Sequence, residues 1–227
     1  MSLAKIPGRT DYVDTVYKTL LDAISAGTLA PGERITQEDL AEKLNVSRSP
    51  VLQALRLLKK DGLLEEAPGR GLVVTMLDPI RIGHLYQVRG ALDALAARLA
   101  AQNRANIPAV LIERGRKAAA GTDVNALIDA DMAFHKAIYE ASGNPLIVEN
   151  AMLHWIHVRR VMGAVLQRQL GRTGIWDEHA AIAKAIQDGD ADRAAALSEK
   201  HAELARETLM KHLREHEDEE ALDALQA

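Results

Sequence analysis

The chain has 227 residues, enough for one large or two small domains, of which 48% are hydrophobic and only 3% aromatic. The core must therefore be aliphatic, and the abundance of Ala and Leu favours closely packed helices. The absence of Cys excludes disulfides and thiolate metal sites and fits a reducing cytoplasm. No apolar run approaches the roughly 18 residues of a membrane span, and no signal peptide is visible. We expect a cytoplasmic protein without membrane contact.

Two helices are predicted before residue 45. Apolar residues recur at helical spacing from Val13 to Ile24, and Gly27 closes this first helix. The segment 36–39, Thr-Gln-Glu-Asp, resembles a capping box, with Asp where Glu or Gln is usual. It predicts a second, short helix that ends near Leu44.

A basic amphipathic helix is predicted next. Ser47 or Ser49 can serve as its N-cap, and Pro50 falls in the first turn, where its missing N–H costs nothing. One face repeats apolar residues at positions i, i+4 and i+7, namely Val51, Leu55 and Leu58. The net charge of the chain is −4, yet all charged residues from 43 to 60 are cations: Lys43, Arg48, Arg56, Lys59 and Lys60.

A β-hairpin is predicted after the basic helix. Leu63 and Leu64 begin it, a Pro-Gly turn at 68–69 follows, and the β-branched run 73–75 forms its second strand. Two helices joined by three or four residues, followed by a hairpin, describe a winged helix-turn-helix. The alternative is an ordinary surface helix with solvated lysines, but the order of cap, turn and hairpin favours DNA binding.

The candidate DNA contacts follow from the chemistry of the double helix. A helix in the major groove needs small hydroxyls and Arg in its N-terminal turn, where the amide dipoles also favour phosphate. Glycines at a hairpin tip allow close approach, and Arg70 supplies charge there. The predicted DNA-binding residues are Arg34, Ser47, Arg48, Ser49, Gln53, Arg56, Gly69, Arg70 and Gly71.

No strand pattern is found after Pro79. The first predicted helix ends near Ala101, and further helices are predicted over 108–119, 123–141 and 146–170, the last with a break considered near Gly163. Two more follow, one that ends at Gly189 and one that begins near Ala191. Short loops between them indicate an antiparallel bundle. We therefore predict a mainly α fold: a winged helix-turn-helix over residues 1–76, then an all-α helical-bundle ligand-binding domain over 77–227 with an acidic C-terminal tail.

Three of the predicted helices carry candidate metal ligands. Asp131 and His135 are four residues apart, so both project from one face of a helix at a spacing that suits two ligands of one ion. His179 and His201 lie on two further helices among apolar residues. On spacing alone, a hydrogen-bonded and partly buried His is the more common alternative for each.

The motifs of the first domain resemble the GntR family of winged-helix transcription regulators. The resemblance covers residues 12–76 and rests on PGERI at 31–35, LAEKLNVSRSP at 40–50, LRLLKKDGLL at 55–64 and GRG at 69–71. The family usually has a second Arg in its recognition helix. Here that position is Leu52, followed by Gln53, so one usual DNA contact is missing.

The motifs of the second domain resemble the FadR-type effector domain, called FCD. They are Asp131-x-x-Phe-His135, ASGNP at 141–145, Glu178-His179 with AIxxGD at 185–190, and His201. In metal-containing members an Asp and three His bind a divalent ion. The resemblance implies ligation by Asp131, His135, His179 and His201, with Zn²⁺ or Ni²⁺ as the occupant.

The resemblance also implies an effector. A small carboxylate often completes the coordination in the family, and Arg89 matches an Arg that points into the pocket. The alternative for Arg89 is a helix-surface pair with Asp93 at i, i+4. The implied function is a ligand-responsive regulator, a repressor as most relatives are, that binds a double-stranded DNA operator as a homodimer and is not an enzyme. A metal-responsive regulator without an organic effector, a structural metal and a metal-dependent enzyme fused to a DNA-binding domain are the alternatives.

Overall fold

The structure, a computed structural model, describes residues 12–166 and 174–226, of which 216–226 are described without their side chains. Contacts between residues divide the chain into two units, Met1–Met76 and Leu77–Ala227. Within the described ranges, no helix combines the length and apolar character needed to cross a membrane.

The first unit has the three helices and the hairpin that the sequence predicts. Its elements are α1 (Tyr12–Ser25), β1 (Arg34–Ile35), α2 (Gln37–Lys43), α3 (Arg48–Lys60), β2 (Leu64–Glu66) and β3 (Leu72–Val74). The strands form an antiparallel sheet in the order β1-β3-β2. The predicted apolar stripe of α3 is buried, and α1 covers it with Val16, Leu20 and Ile24.

The ends of α2 and α3 are set by local chemistry. Thr36 caps α2, since its Oγ1 accepts a hydrogen bond from the backbone N–H of Asp39. Asn45 takes a left-handed φ of 51° between the two helices, a conformation that Asn tolerates. Ser47 stands at the N-cap position of α3 without a side-chain cap hydrogen bond, and Ser49 lies inside the helix.

Strand β1 was not predicted from the sequence. It has two residues, too few for an alternating pattern, and exists because Arg34 and Ile35 pair with β3. This pairing also explains one glycine of the hairpin. Gly71 has a φ of +95°, and a Cβ there would lie 3.0 Å from the carbonyl oxygen of Ile35. Any side chain at this position would strain the backbone and crowd β1.

The second unit, within the described residues, consists of six helices. They are α4 (Pro79–Gln102), α5 (Ala109–Ala119), α6 (Val124–Ala141), α7 (Pro145–Leu166), α8 (Ile175–Asp188) and α9 (Ala191–Gln226). The prediction of a mainly α fold is confirmed. Helix α4 packs most extensively against α9. The buried core is largely Ala, Ile and Val, with a few fully buried aromatic rings such as Phe134, Tyr139 and Trp176.

Capping residues explain why the helix boundaries were predictable. Asp78 accepts from the N–H of Ile80 at the start of α4, and Asp123 accepts from the N–H of Ala126 at the start of α6. Gly189 ends α8 in a left-handed conformation with φ 77°.

One detail of the second unit differs from the prediction. The prediction of a break near Gly163 is wrong, because α7 continues through Gly163, and this residue is buried. Residues 167–170, predicted as the end of that helix, lie outside the described residues. Helix α9 continues through the acidic C-terminal segment to Gln226.

Candidate functional site

Three helices of the second unit bring the four predicted metal ligands together. Asp131 and His135 come from α6, His179 from α8 and His201 from α9. One ligand atom of each lies within 4.8 Å of the others, and all four residues are buried. The spacing of four residues on α6 therefore places both side chains on one face, close to His179 and His201.

Asp131 lies next to two of the imidazoles. Its Oδ1 is 3.4 Å from His179 Nε2 and 3.9 Å from His135 Nε2. The Nε2 atom of His135 has no hydrogen-bond partner among the described residues. Buried nitrogens normally have a partner, so this atom needs an explanation, and a bound ion is one that fits.

The protonation state of His135 also fits a metal ion. Burial lowers the pKa of His135 well below its ordinary value, and the positive charge of Arg89 lowers it further. The imidazole is therefore neutral near pH 7, the form in which a His nitrogen donates its lone pair to a metal. Three imidazoles and one carboxylate are a donor set suited to Zn²⁺ or Ni²⁺.

An acidic residue outside the cluster orients one of the imidazoles. Glu178 Oε2 is 2.7 Å from His201 Nδ1, a hydrogen-bond distance, whereas Asp93 Oδ2 is 3.6 Å from His135 Nδ1, too far for a hydrogen bond. A carboxylate at Nδ1 favours the tautomer with the proton there, which leaves Nε2 free to bind an ion. Carboxylates in this position are a common feature of His-rich metal sites.

Arg89 lies inside the helical bundle. The alternative, a pair with Asp93 on the helix surface, is therefore wrong about where the pair lies. The ion pair with Asp93 does form, with 3.3 Å from Arg89 Nε to Asp93 Oδ2, but the two side chains are only 6% and 3% exposed. Arg89 Nη2 is also 3.7 Å from Asp131 Oδ2, and the guanidinium lies 4.6 Å from the centre of the Trp155 ring. Arg89 is thereby linked to a predicted metal ligand.

Sequence reasoning missed the contacts that support this arrangement. Tyr139 donates a hydrogen bond to Asp93, and Glu178 contacts His201. Helical spacing could have indicated Tyr139, which is four residues after His135 and therefore on the same face of α6. The sequence marks Glu178 only as a member of the Glu178-His179 motif, and its contact with His201 could not be predicted because His201 lies on another helix.

A small cavity adjoins Arg89. Its volume is about 10 Å³, the room of a single water molecule. Its other lining residues are Leu92, Tyr139, Ala151, His154, Trp155 and Val158. Both Arg89 and Tyr139 can present polar groups to a molecule that occupies or enlarges this space.

The predicted DNA-binding residues of the first unit lie on α3 and its N-cap, on β1 and on the hairpin. On α3, the side chains of Ser49, Gln53 and Arg56 are exposed. Arg48 is also exposed and lies 3.2 Å from Glu38, an ion pair that solvent makes weak. Ser47 is exposed at the N-cap position.

The hairpin and β1 supply the remaining candidates. Gly69 and Gly71 flank Arg70 at the tip with φ of 92° and 95°. Arg34 donates a hydrogen bond to the carbonyl oxygen of Arg70, which fixes the tip against β1. A groove of about 580 Å³ separates the hairpin from α3, and Arg56, Arg70 and both glycines line it.

Two protein families match the chain. Residues 84–215 match the FCD domain, and residues 12–74 match the bacterial regulatory proteins of the gntR family. The chain is 29% identical over 217 residues to an uncharacterized HTH-type transcriptional regulator in an unstable DNA locus of Streptomyces ambofaciens, covering 93% of this chain and 86% of that protein. It is 26% identical over 224 residues to the HTH-type transcriptional repressor NanR of Klebsiella aerogenes, covering 88% and 86%.

Solved structures have the same fold. McbR of E. coli superposes with a TM-score of 0.75 at 21% identity, over 88% of this chain and 97% of that one. A putative transcriptional regulator GntR from Rhodococcus sp. RHA1 superposes with a TM-score of 0.76 at 24% identity, over 89% and 99%.

Proposed function

Because this chain belongs to the GntR family of bacterial regulatory proteins and carries an FCD domain, it is a DNA-binding transcription regulator, and we propose that a divalent metal ion and a small carboxylate control it. Its domains and relatives indicate a regulator, not an enzyme. The observation that carries the proposal is the buried set Asp131, His135, His179 and His201, whose ligand atoms lie within 4.8 Å of one another. Zn²⁺ or Ni²⁺ would bind there as a Lewis acid with affinity for anions.

The position of Arg89 supports a carboxylate as the effector. One carboxylate oxygen of Asp131 lies near His179 and the other lies near Arg89. An acid bound at the ion would therefore lie beside the guanidinium of Arg89. The planar fork of Arg can hold a carboxylate with two hydrogen bonds. The acid would compete with Asp93 for Arg89, and the adjoining cavity of about 10 Å³ would have to enlarge to admit it.

We propose that the regulator binds its operator as a homodimer. A winged helix-turn-helix dimer reads two half-sites of a near-palindromic sequence. Support for a dimer comes from α4, where Val88 and Leu95 are 49% and 43% exposed and two turns apart on one face. A second copy would cover these apolar side chains. The sign of regulation we propose is repression, in keeping with the repressor NanR.

The effector proposal can be tested by thermal unfolding of metal-loaded and chelated protein with small mono-, di- and hydroxycarboxylates. We expect at least one acid to raise the melting temperature only when metal is present, because ligand binding to the folded state stabilises it. The same acid should release operator DNA. Acids that shift the melting temperature equally without metal would contradict a shared site.

The DNA-binding surface has its own test. Arg48→Ala should weaken operator binding and leave the metal content unchanged, because Arg48 lies in the first unit. Lys18→Ala, which removes an exposed cation from α1, is the matched control. Unchanged operator affinity in Arg48→Ala would remove that residue from the interface.

A second candidate is a regulator that responds to the metal ion alone. It is favoured by the small size of the cavity beside Arg89 and by the existing contact of Arg89 with Asp93, which together leave little room for an acid. In that case operator affinity would follow the metal concentration, and no carboxylate would change the melting temperature of the loaded protein.

A further inference from the structure

Leu52 is an apolar side chain on the polar face of α3. Its side of the helix also carries Arg48, Ser49 and Arg56, at positions i−4, i−3 and i+4. The apolar residues that pack α3 onto its own domain, including Leu55 three positions after Leu52, are buried, whereas Leu52 is 37% exposed. The packing of the domain therefore leaves part of the Leu52 side chain in contact with solvent.

The surroundings of Leu52 indicate what covers it. Leu52 lines the groove of about 580 Å³ between α3 and the hairpin. The same groove is lined by the cations Arg56, Lys59 and Arg70 and by the acidic residues Glu38 and Glu66, of which Glu66 pairs with Lys59 at 2.5 Å. The exposed guanidinium groups of Arg56 and Arg70 beside an apolar side chain fit a polyanion that also presents an apolar group. Duplex DNA does so, since its phosphates surround grooves in which base edges are exposed.

Only one base offers an apolar group in the major groove. Thymine carries a C5-methyl there, while the other base edges present hydrogen-bond donors and acceptors. A Leu side chain can neither donate nor accept a hydrogen bond, so it gains free energy only by removing apolar surface from water. We propose that Leu52 reads the C5-methyl of a thymine in each half-site of the operator. This inference rests on the proposed binding of operator DNA through α3.

Leu57 has a similar exposure to Leu52 but a different position on α3. It is on the same helix and 39% exposed, close to the value for Leu52. Five helical positions turn it about 140° away from Leu52. It does not line the groove described above. Leu57 is therefore a matched control for the loss of an exposed Leu from α3.

The experiment begins by selecting duplexes from a randomised library with the full-length protein. Each thymine of the selected site is then replaced by deoxyuridine, which removes only the C5-methyl. Affinities are measured for the wild type, Leu52→Ala and Leu57→Ala. With the wild type, we expect one thymine per half-site to lose about fourfold in affinity on replacement, the equivalent of one buried methyl group.

The variants decide whether Leu52 is responsible. In Leu52→Ala the thymine site should bind more weakly and the deoxyuridine replacement should have no further effect, whereas Leu57→Ala should keep the fourfold difference. The inference is overturned if no thymine methyl affects affinity, or if Leu52→Ala retains the difference. If the selection enriches no sequence at all, the proposed binding of operator DNA is contradicted. This result differs from a failure of the Leu52 inference alone, in which a sequence is enriched but Leu52 does not read a thymine methyl group.

Discussion

Replacing Glu178 by Gln tests whether the contact with His201 prepares that imidazole to bind a metal ion. The carboxylate accepts the Nδ1 proton at 2.7 Å, which leaves Nε2 as the ligand atom. A Gln amide can instead donate to Nδ1 and favour the opposite tautomer, with the proton on Nε2. The variant therefore loses both the negative charge and the preference for the binding-competent form of His201.

The expected loss can be bounded from the geometry. Replacing carboxylates that orient metal-binding His residues costs about 10- to 100-fold in metal affinity. The Glu178 side chain is 40% exposed, so solvent screens its charge and the loss should be at the lower end. We predict about a tenfold weaker affinity, equivalent to about 1.4 kcal/mol.

Competition between metal-stripped protein and a chelating indicator measures this affinity for Ni²⁺ or Zn²⁺. The control is Asp177→Asn, which changes the charge by the same amount at the neighbouring position. Asp177 pairs with Arg116 at 2.7 Å and is 76% exposed. Equal affinities for the two variants would refute the role assigned to Glu178.

Three further predictions follow from contacts elsewhere in the chain. Gly115→Ala should lower the free energy of unfolding by about 1–3 kcal/mol in denaturant titration, because a Cβ there lies 2.0 Å from Trp176 Cη2. Tyr17→Phe should cost about 1 kcal/mol below pH 9, since it removes a half-buried hydrogen bond to Asp61. Arg89→Lys should weaken carboxylate binding more than metal binding in calorimetric titrations, because an ammonium lacks the planar fork.

The pH dependence of the second prediction has a definite sign. Burial raises the pKa of Tyr17, and the hydrogen bond to Asp61 and the charge of that residue raise it further. A Tyr in the unfolded chain ionises near pH 10. The stabilisation is therefore complete below about pH 10 and is lost as the pH rises through the folded-state pKa. A difference between wild type and Tyr17→Phe that stays constant up to pH 11 would contradict this explanation.

The other two predictions have controls in the same unit. Gly83→Ala should cost less than Gly115→Ala, because its Cβ would meet only the flexible end of Met210 at 3.0 Å. Equal costs would show that Trp176 can move aside. For Arg89→Lys, equal losses of metal and carboxylate affinity would indicate damage to the bundle instead of a lost effector contact.

The helices could be predicted from the sequence because their ends carry local chemistry. Asp78, Asp123 and Gly189 mark ends of α4, α6 and α8 by contacts within a few residues. Strand β1 could not be predicted, since its pairing with β3 joins residues far apart in sequence. Gly163 was misread for a related reason: a Gly weakens an isolated helix, but here the packed core surrounds it.

The candidate site was only partly predictable. The spacing in the sequence placed Asp131 and His135 on one face of α6. His179 and His201 were assigned by resemblance, and the packing of α8 and α9 brings them next to the other two ligands. The burial of the Arg89–Asp93 pair was beyond the sequence, because spacing of i, i+4 is the same on a solvated and on a buried face. Whether a charged pair is buried depends on the neighbouring helices.

Metal stoichiometry tests the central claim most directly. Full-length protein is stripped with a chelator, dialysed against Ni²⁺ or Zn²⁺ and analysed by elemental mass spectrometry. The buried cluster predicts one ion per chain in the wild type and in His84→Ala, which removes an exposed imidazole of α4. It predicts no ion in His179→Ala. A wild-type protein without metal, or a His179→Ala variant with the same content as wild type, would contradict the assignment.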